Sequence, residues 1–224
     1  MKILTINGSA KNGGFTGGAL DIASRRLMEK GAEVEMIRLA DLDIRECVGC
    51  NQCLKTGECP LGDDMAGLIE KMKAADGFVV GSPVRNQFMT AVFKRFMERS
   101  VYLLGFPLEL EDKPVMAISS VGAFGGRGVN KKALSMTEYG AHLSSWNFFT
   151  VGHPAKMKPD DARPRLEQST DRLYEDIRTK RGRTIAERFS NTFSRLLLEK
   201  FLTARSPDQY AGLIRRWREK DREK

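Results

Sequence analysis

Residues 2–31, KILTINGSAKNGGFTGGALDIASRRLMEKG, contain the pattern that decides the fold. The short apolar run KILTI at 2–6 predicts a buried strand, and ALDIASRRLMEKG at 19–31 has the apolar spacing of a helix and ends on a glycine. The glycine-rich segment NGSAKNGGFTGG joins the two. This stretch therefore predicts a strand, a turn and a helix, which is the repeating unit of an α/β protein.

The glycine-rich turn is a candidate phosphate site. Backbone N–H groups and the dipole at a helix N-terminus hold anions, and Ser9, Lys11 and Thr16 could add two hydroxyls and a positive charge. The turn lacks the Lys-Ser or Lys-Thr pair that closes a Walker A loop, and it lacks the glycine spacing of a dinucleotide site. One phosphate monoester, as in FMN, suits it better than a dinucleotide. The alternative is a turn that binds no ligand.

The rest of the chain repeats this unit. Four more segments have the composition of strands: AEVEMIRLA (32–40), GFVVGS (77–82), KPVMAISS (113–120) and SSWNFFTVG (144–152). Three segments with helical spacing separate them: DDMAGLIEKMKAAD (63–76), TAVFKRFMERSVYLL (90–104) and VNKKALSMTEYGAH (129–142). The order βαβαβαβαβ predicts an α/β fold with a doubly wound, five-stranded parallel sheet and helices on both faces.

Loops rich in Gly, Ser, Asn or Pro follow the predicted strands. GSPVRN (81–86) and SSVGAFGGRG (119–128) lie at two of these ends, and such loops form the ligand crevice of open α/β sheets. We expect them to line one ligand, although a proline turn without a ligand is the alternative. His142 and His153 are interpreted as surface or interface residues. The aromatic residues of 146–149 are interpreted as core.

The four cysteines of the chain all lie in CVGCNQCLKTGECP, with the spacing C-x2-C-x2-C-x5-C. Disulfide frameworks spread their cysteines along the chain, whereas this clustering indicates a metal. Three thiolates at three-residue steps can reach three corners of a [4Fe-4S] cubane, and the fourth closes it from further along. A structural zinc ion more often uses two separated C-x2-C pairs, and free or redox-active thiols are a further alternative.

These motifs, taken in order with DDM, FKRFMER and GAFGG, resemble the iron-sulfur flavoproteins of the flavodoxin-like, NADPH-dependent FMN reductase superfamily. The resemblance covers about residues 1–150. It implies FMN at the carboxyl ends of the strands, a [4Fe-4S] cluster, and a homo-oligomer, dimer or tetramer, in which the cluster of one subunit lies near the flavin of another. It also implies an electron donor such as ferredoxin or NAD(P)H, and no catalytic side chain, since the cofactors carry the redox chemistry.

The resemblance also assigns site residues. The phosphate is expected at Ser9, Lys11 and Thr16, and the flavin ring at Pro83, Val84, Arg85 and Asn86. The other edge of the ring is expected at Ser120, Gly122, Gly125 and Gly126, and the cluster at Cys47, Cys50, Cys53 and Cys59. Two positions depart from the family pattern. Phe15 replaces an Asn of the first loop, and Arg85 replaces a Tyr, which puts a cation beside the flavin.

The chain after about residue 155 has a different character. We expect residues 1–155 to form the FMN-binding domain and residues 156–224 to form a C-terminal helical extension that follows a polar, proline-bearing connector at 153–168. FSRLLLEKFL (193–202) has an apolar stripe through Phe193, Leu197 and Phe201 that is expected to form subunit contacts.

The net charge of +8 is concentrated in residues 171–224, which hold 15 Lys or Arg and 9 Asp or Glu. Acidic residues interrupt each basic run, so a solvated helical tail is favoured over nucleic-acid binding. The sequence has no apolar run that approaches the ~18 residues of a membrane span. We therefore expect a cytoplasmic protein without membrane association.

The sequence thus predicts an FMN-dependent oxidoreductase that relays electrons between a one-electron donor, a [4Fe-4S] cluster, FMN and an acceptor. A cluster-free NAD(P)H-dependent FMN or quinone reductase is one alternative. A non-catalytic, redox-responsive binding protein is the other.

Overall fold

A computed structural model describes residues 1–106, 108–152, 156–182 and 196–222. His153 and Phe193, for which the sequence made predictions, lie outside these ranges. Within them, no helix is both long and apolar enough to span a bilayer.

A single five-stranded sheet forms the centre of the molecule. Its strands are β1 (Lys2–Asn7), β2 (Glu33–Arg38), β3 (Gly77–Pro83), β4 (Pro114–Val121) and β5 (His142–Thr150). They lie in the order β2-β1-β3-β4-β5, and every neighbouring pair is parallel. This order is that of flavodoxin-like folds, in which the strand order reverses between β1 and β3. The predicted doubly wound parallel sheet is confirmed.

Seven helices with both ends described accompany the sheet: α1 (Phe15–Glu29), α2 (Gln52–Thr56), α3 (Met65–Ala74), α4 (Ala91–Ser100), α5 (Arg127–Leu134), α6 (Arg163–Arg178) and α7 (Ala211–Arg222). Residues 196–205 are also helical. Short 3-10 turns occur at Leu39–Asp41, Thr137–Tyr139 and Pro159–Ala162, and a π-helical turn at Val101–Gly105 follows α4.

Two apolar layers hold the sheet. One face packs against α3, α4 and α5 through side chains that include Met65, Met72, Phe93, Phe96 and Leu134. The other face packs against α1 and α6 through Leu20, Leu27, Leu166 and Leu173 among others. Because both faces are covered, β3 and β4 are buried along their whole length.

Two predicted boundaries were wrong. The predicted helix 129–142 ends at Leu134, since Met136 adopts a left-handed conformation with φ 51° and His142 already begins β5. The predicted connector 153–168 becomes helical at Arg163, because a proline is tolerated in the first turn of a helix.

Helix α6 is held firmly on α1. The Arg26 guanidinium donates to both carboxylate oxygens of Asp171, at 2.9 and 3.0 Å, and the Tyr174 hydroxyl donates to the carbonyl of Lys30 at 3.1 Å. Among the described residues after 156, helix α6 therefore completes a layer of the sheet, whereas the C-terminal helix α7 lies elsewhere.

Helix α7 packs on α2, the short helix that carries Cys53. Leu54, Leu202, Leu213 and Trp217 form a small apolar cluster separate from the two sheet layers. Trp217 is 1% exposed, and its indole N–H donates to the carbonyl of Phe106 at 2.8 Å. The C-terminal helix therefore covers part of the cysteine segment of its own chain.

We expect Trp217→Ala to release α7 without unfolding the sheet. Removing a fully buried Trp costs about 3–5 kcal/mol, and Trp217 belongs to the third cluster only. Hydrogen–deuterium exchange should become faster in α7 and α2 and stay slow in β3 and β4. Met28→Ala, at a position on α1 that is 50% exposed, is the matched control and should leave exchange unchanged. Equal acceleration in the sheet and in α7 would contradict a separate cluster.

Candidate cofactor sites

Three loops meet at the carboxyl edge of the sheet, next to the point where the strand order reverses. Pro83 at the end of β3 pairs in register with Ser120 at the end of β4. The Val84 N–H donates to the Ser120 carbonyl at 2.7 Å, and the Gly8 N–H donates to the Gly81 carbonyl at 2.7 Å. Backbone hydrogen bonds thus join the ends of β1, β3 and β4, so the loops after these strands lie at one edge of the sheet.

The loop after β1 contains the predicted phosphate ligands. Ser9 is buried, its N–H donates to Asn7 Oδ1 at 2.9 Å, and its Oγ accepts the Lys11 N–H at 3.2 Å. The Lys11 side chain is exposed. Asn7, which sequence reasoning did not single out, shapes this loop from the end of β1.

Thr16 and Ser120 lie in direct contact. Their hydroxyl oxygens are 2.9 Å apart, and both residues are buried. The sequence assigned Thr16 to the phosphate and Ser120 to an edge of the ring, so the structure brings together two residues that are 104 positions apart in the chain. The hydroxyl pair ties the first turn of α1 to the end of β4.

The loop after β3 is a tight turn. The N–H of Arg85 donates to the Phe88 carbonyl at 2.7 Å, and the N–H of Phe88 donates to the Arg85 carbonyl at 2.9 Å. Asn86 and Gln87 have φ of 44° and 70°, as the two central residues of a type I′ turn require. The Arg85 side chain is at the surface of this loop, and its Nη1 donates to the Val84 carbonyl at 3.2 Å.

The loop after β4 depends on its glycines. Gly125 and Gly126 have φ of 89° and 69°, which a glycine adopts at little cost. A Cβ on Gly126 would lie 2.6 Å from Val84 Cγ1, and one on Gly125 would lie 1.7 Å from Gln87 Oε1. These glycines let the loop after β4 touch the loop after β3. Gly122 is exposed at the start of the same loop.

Thr90 connects the crevice to α4. Its hydroxyl oxygen accepts the Phe93 N–H at 3.1 Å as the N-cap of the helix, and its hydroxyl donates to the Gly8 carbonyl at 2.5 Å. Helix α4 therefore begins directly beneath the candidate phosphate loop.

The four cysteines lie beyond the other end of α4. Cys47 and Cys50 are exposed, whereas Cys53 and Cys59 are partly buried. Burial raises the pKa of the Cys53 thiol, and the thiolates of the other three cysteines raise it further. Cys53 therefore lies near enough to the other three cysteines for their charges to act on its thiol.

Hydrogen bonds close the neck of this cysteine segment. The Asp64 N–H donates to the Asp43 carbonyl at 3.0 Å, and the Asp43 N–H donates to Asp64 Oδ2 at 2.8 Å. One step inward, the Arg45 N–H donates to Asp63 Oδ2 at 2.9 Å. The chain thus leaves the domain and returns at nearly the same point, as in a compact surface loop.

A buried ion pair lies behind the neck. Arg99 Nη1 and Nη2 donate to the two carboxylate oxygens of Asp63 at 2.6 and 3.0 Å, and the Arg99 and Asp63 side chains are 1% and 0% exposed. Burial by itself would raise the pKa of Asp63, but hydrogen bonds from Arg99 and backbone N–H groups lower it overall. The sequence contained both residues, within DDM and FKRFMER, without a signal for their contact.

The four thiols are the kind of donor set that a four-iron cluster takes. Among the described residues, no three His, Cys, Asp or Glu side chains converge closely enough to hold one metal ion. A cubane holds its four thiolates further apart than one tetrahedral ion does. In addition, Arg99 Nε is buried and has no hydrogen-bond partner in the described part of the chain.

The C-terminal helix adds positive charge on the far side of the cysteine segment. Arg215 donates to the Thr56 carbonyl at 2.6 Å, and Arg216 donates to the Leu103 carbonyl at 3.0 Å. Gly212 permits this approach, since a Cβ there would lie 2.3 Å from the Gly57 nitrogen. A cavity of about 380 Å³, lined in part by Cys59 and Arg216, lies between α7 and α3.

Comparison with known proteins identifies relatives over most of the chain. Residues 1–154 match the family described as NADPH-dependent FMN reductase. An iron-sulfur flavoprotein of Methanocaldococcus jannaschii is 41% identical over 109 residues, which are 48% of this chain and 56% of that protein. The chain therefore spans little more than half the length of this relative.

A second iron-sulfur flavoprotein of the same organism is 30% identical over 199 residues, which are 81% of this chain and 100% of that protein. Among solved structures, a flavodoxin from the domain Archaea superposes with a TM-score of 0.53 at 15% identity, over 80% of this chain and 99% of that one. The structural likeness confirms the flavodoxin-like fold.

We expect Gly126→Ala to disturb the crevice. A non-glycine residue at a φ of 69° costs about 1–2 kcal/mol, and the new Cβ would push against Val84. The free energy of unfolding in urea should fall by at least that amount, and FMN titration should reveal weaker binding. Gly128→Ala is the control, because a Cβ there has no atom within 4 Å. Equal free energies of unfolding and equal FMN affinities for the two variants would show that the loop after β4 does not need a glycine at position 126.

Proposed function

Because the chain belongs to the NADPH-dependent FMN reductase family and, within it, to the iron-sulfur flavoproteins, we propose that it is an FMN-dependent oxidoreductase that relays electrons. The donor is a one-electron carrier such as ferredoxin, and the relay runs through a [4Fe-4S] cluster and FMN to an acceptor. The observation that carries this proposal is the presence, on one chain, of a three-loop crevice at the switch point and a four-cysteine segment at opposite ends of α4.

The crevice supplies the FMN site. Ser9, Thr16 and backbone N–H groups of the first loop bind the phosphate, and the exposed ammonium of Lys11 neutralises its charge. Pro83, Val84, Arg85 and Asn86 line one side of the ring, and Ser120, Gly122, Gly125 and Gly126 line the other. FMN supplies the capacity to pass from single-electron to two-electron transfer. Arg85 keeps a guanidinium at the mouth of this site, where relatives with Tyr have none.

The cysteine segment supplies the cluster site. Cys47, Cys50, Cys53 and Cys59 provide four thiolates, and the closed neck at Asp43–Asp64 limits the freedom of the segment between them. Helix α7 covers one side of the segment, while Cys47 and Cys50 remain exposed. That exposed side is where an electron donor would approach. A cytoplasmic location, which keeps thiols reduced, suits these ligands.

A cluster-free NAD(P)H-dependent FMN or quinone reductase is the second candidate. The description of the matching family favours it. Iron and acid-labile sulfide per chain, measured after anaerobic purification, separate the two candidates.

The relay is tested with Cys47→Ala. We expect the variant to lose the cluster and retain FMN, because Cys47 is remote in sequence from the phosphate loop and its side chain is exposed. In stopped-flow experiments, flavin reduction by reduced ferredoxin should become slow, while dithionite should still reduce the flavin quickly. Val48→Ala, at a neighbouring position that is 73% exposed, is the control and should behave as the parent protein.

A Cys47→Ala protein that lacks the cluster yet accepts electrons from ferredoxin at the parent rate would exclude the relay. The cluster would then be structural or regulatory, and the second candidate would be favoured.

We also propose a homo-oligomer with contacts in the C-terminal segment. Leu196, Leu197 and Phe201 are 51%, 54% and 54% exposed, an arrangement that favours burial against another surface. The double variant Leu197→Asp/Phe201→Asp should have a lower mass by light scattering. Met28→Asp, at an exposed apolar position on α1, is the control. An unchanged mass for the double variant would remove these residues from the interface.

A further inference from the structure

We propose that Arg99 is a positioning residue for the cluster, which ties both ends of the cysteine segment to α4 and donates its Nε–H to the Cys59 sulfur. This inference rests on the proposed function, since it requires the cluster. The proposed function does not include this role, in which a buried cation outside the cysteine motif sets the reduction potential of the cluster.

The first step concerns where the guanidinium is held. Arg99 Nη1 donates to the Arg45 carbonyl at 2.8 Å and to Asp63 Oδ2 at 2.6 Å, and Nη2 donates to Asp63 Oδ1 at 3.0 Å. Arg45 precedes the first cysteine and Asp63 follows the last. One planar side chain therefore holds both ends of the segment at fixed positions, which a flexible lysine ammonium does less well.

The second step concerns the remaining donor. Arg99 Nε is buried and has no hydrogen-bond partner within the described residues. A buried N–H without a partner carries a desolvation cost, so an acceptor beside it is favoured. Cys59 packs against the apolar layer that contains Phe96 and Leu103, the residues about one turn before and after Arg99, and it lines a cavity together with Leu103. A thiolate at this position would satisfy the unpaired donor.

The third step concerns the consequence for the cluster. Hydrogen bonds to the sulfur ligands and nearby charges set the reduction potential of an iron–sulfur cluster. An N–H donor and a positive charge at Cys59 stabilise the reduced form, which is the more negative one. Arg99 therefore raises the potential, and a change that removes the Nε–H lowers it.

A purely structural ion pair is the competing explanation. A buried pair can often be replaced by apolar residues without loss of stability, so the Arg99–Asp63 contact alone does not require a role at the cluster. The two explanations differ in one measurable quantity. A pair that only closes the neck would leave the potential of a fully loaded cluster unchanged when it is replaced.

The test compares Arg99→Lys with the parent protein by redox titration of the cluster, followed by EPR, after iron and FMN per chain have been counted. The lysine keeps the charge opposite Asp63 but lacks the Nε–H. In Arg99→Lys, we expect the equilibrium constant for one-electron reduction of the cluster to fall at least tenfold, which lowers its reduction potential by ~59 mV. Lys94→Gln is the control, since it removes a positive charge from the exposed face of the same helix, where Lys94 is paired with Glu98.

A second variant allows the same test if Arg99→Lys does not fold. Asp63→Asn/Arg99→Met removes both charges together, so neither is left buried and unpaired, and it should retain FMN with a cluster of lower potential than the parent. Unchanged potentials in loaded variants would overturn the proposal. Failure of both variants to fold with FMN would also overturn it, because Arg99 would then hold the core rather than the cluster. A parent protein without iron would instead refute the proposed function itself.

Discussion

The side-chain hydrogen bonds at the two ends of α4 are the contacts on which the arrangement of both candidate sites depends. At its first turn, the Thr90 hydroxyl holds the Gly8 carbonyl, and at its last turn Arg99 holds Asp63. A helix of 10 residues is about 15 Å long. Because Phe93 and Phe96 bury this helix against the sheet, the crevice and the cysteine segment occupy set positions on one rigid element.

The C-terminal helix adds a second support for the cysteine segment. Trp217 packs beside Leu54, and Arg215 holds the carbonyl of Thr56, so α7 contacts the helix that carries Cys53 without joining the sheet core. Part of the positive charge that distinguishes the end of the chain is thereby placed beside the segment whose four cysteines are proposed as cluster ligands.

Several predictions succeeded because they rest on short-range pattern. The apolar run at 2–6, the glycine-rich turn and the alternation of strands with helices all reflect local backbone preferences, so the parallel sheet followed from them. Predicted helix boundaries were wrong where the backbone of one or two residues ended a helix or allowed one to begin earlier. Met136 ends one helix with a positive φ, and helix α6 begins before Pro164 because the first turn of a helix needs no N–H from it.

The sequence by itself determined the class of fold, the position of the three loops and the clustering of the four cysteines, since residue type and spacing carry that information. Only the tertiary structure decided which distant residues meet. The contacts of Thr16 with Ser120 and of Arg99 with Asp63 join residues 104 and 36 positions apart. Such pairs leave no periodic signal, because an arginine on a helix or an aspartate before one has the same local preferences whether its partner is water or a buried opposite charge. Their placement arises when the sheet and its helices pack, which excludes water and makes a specific partner necessary.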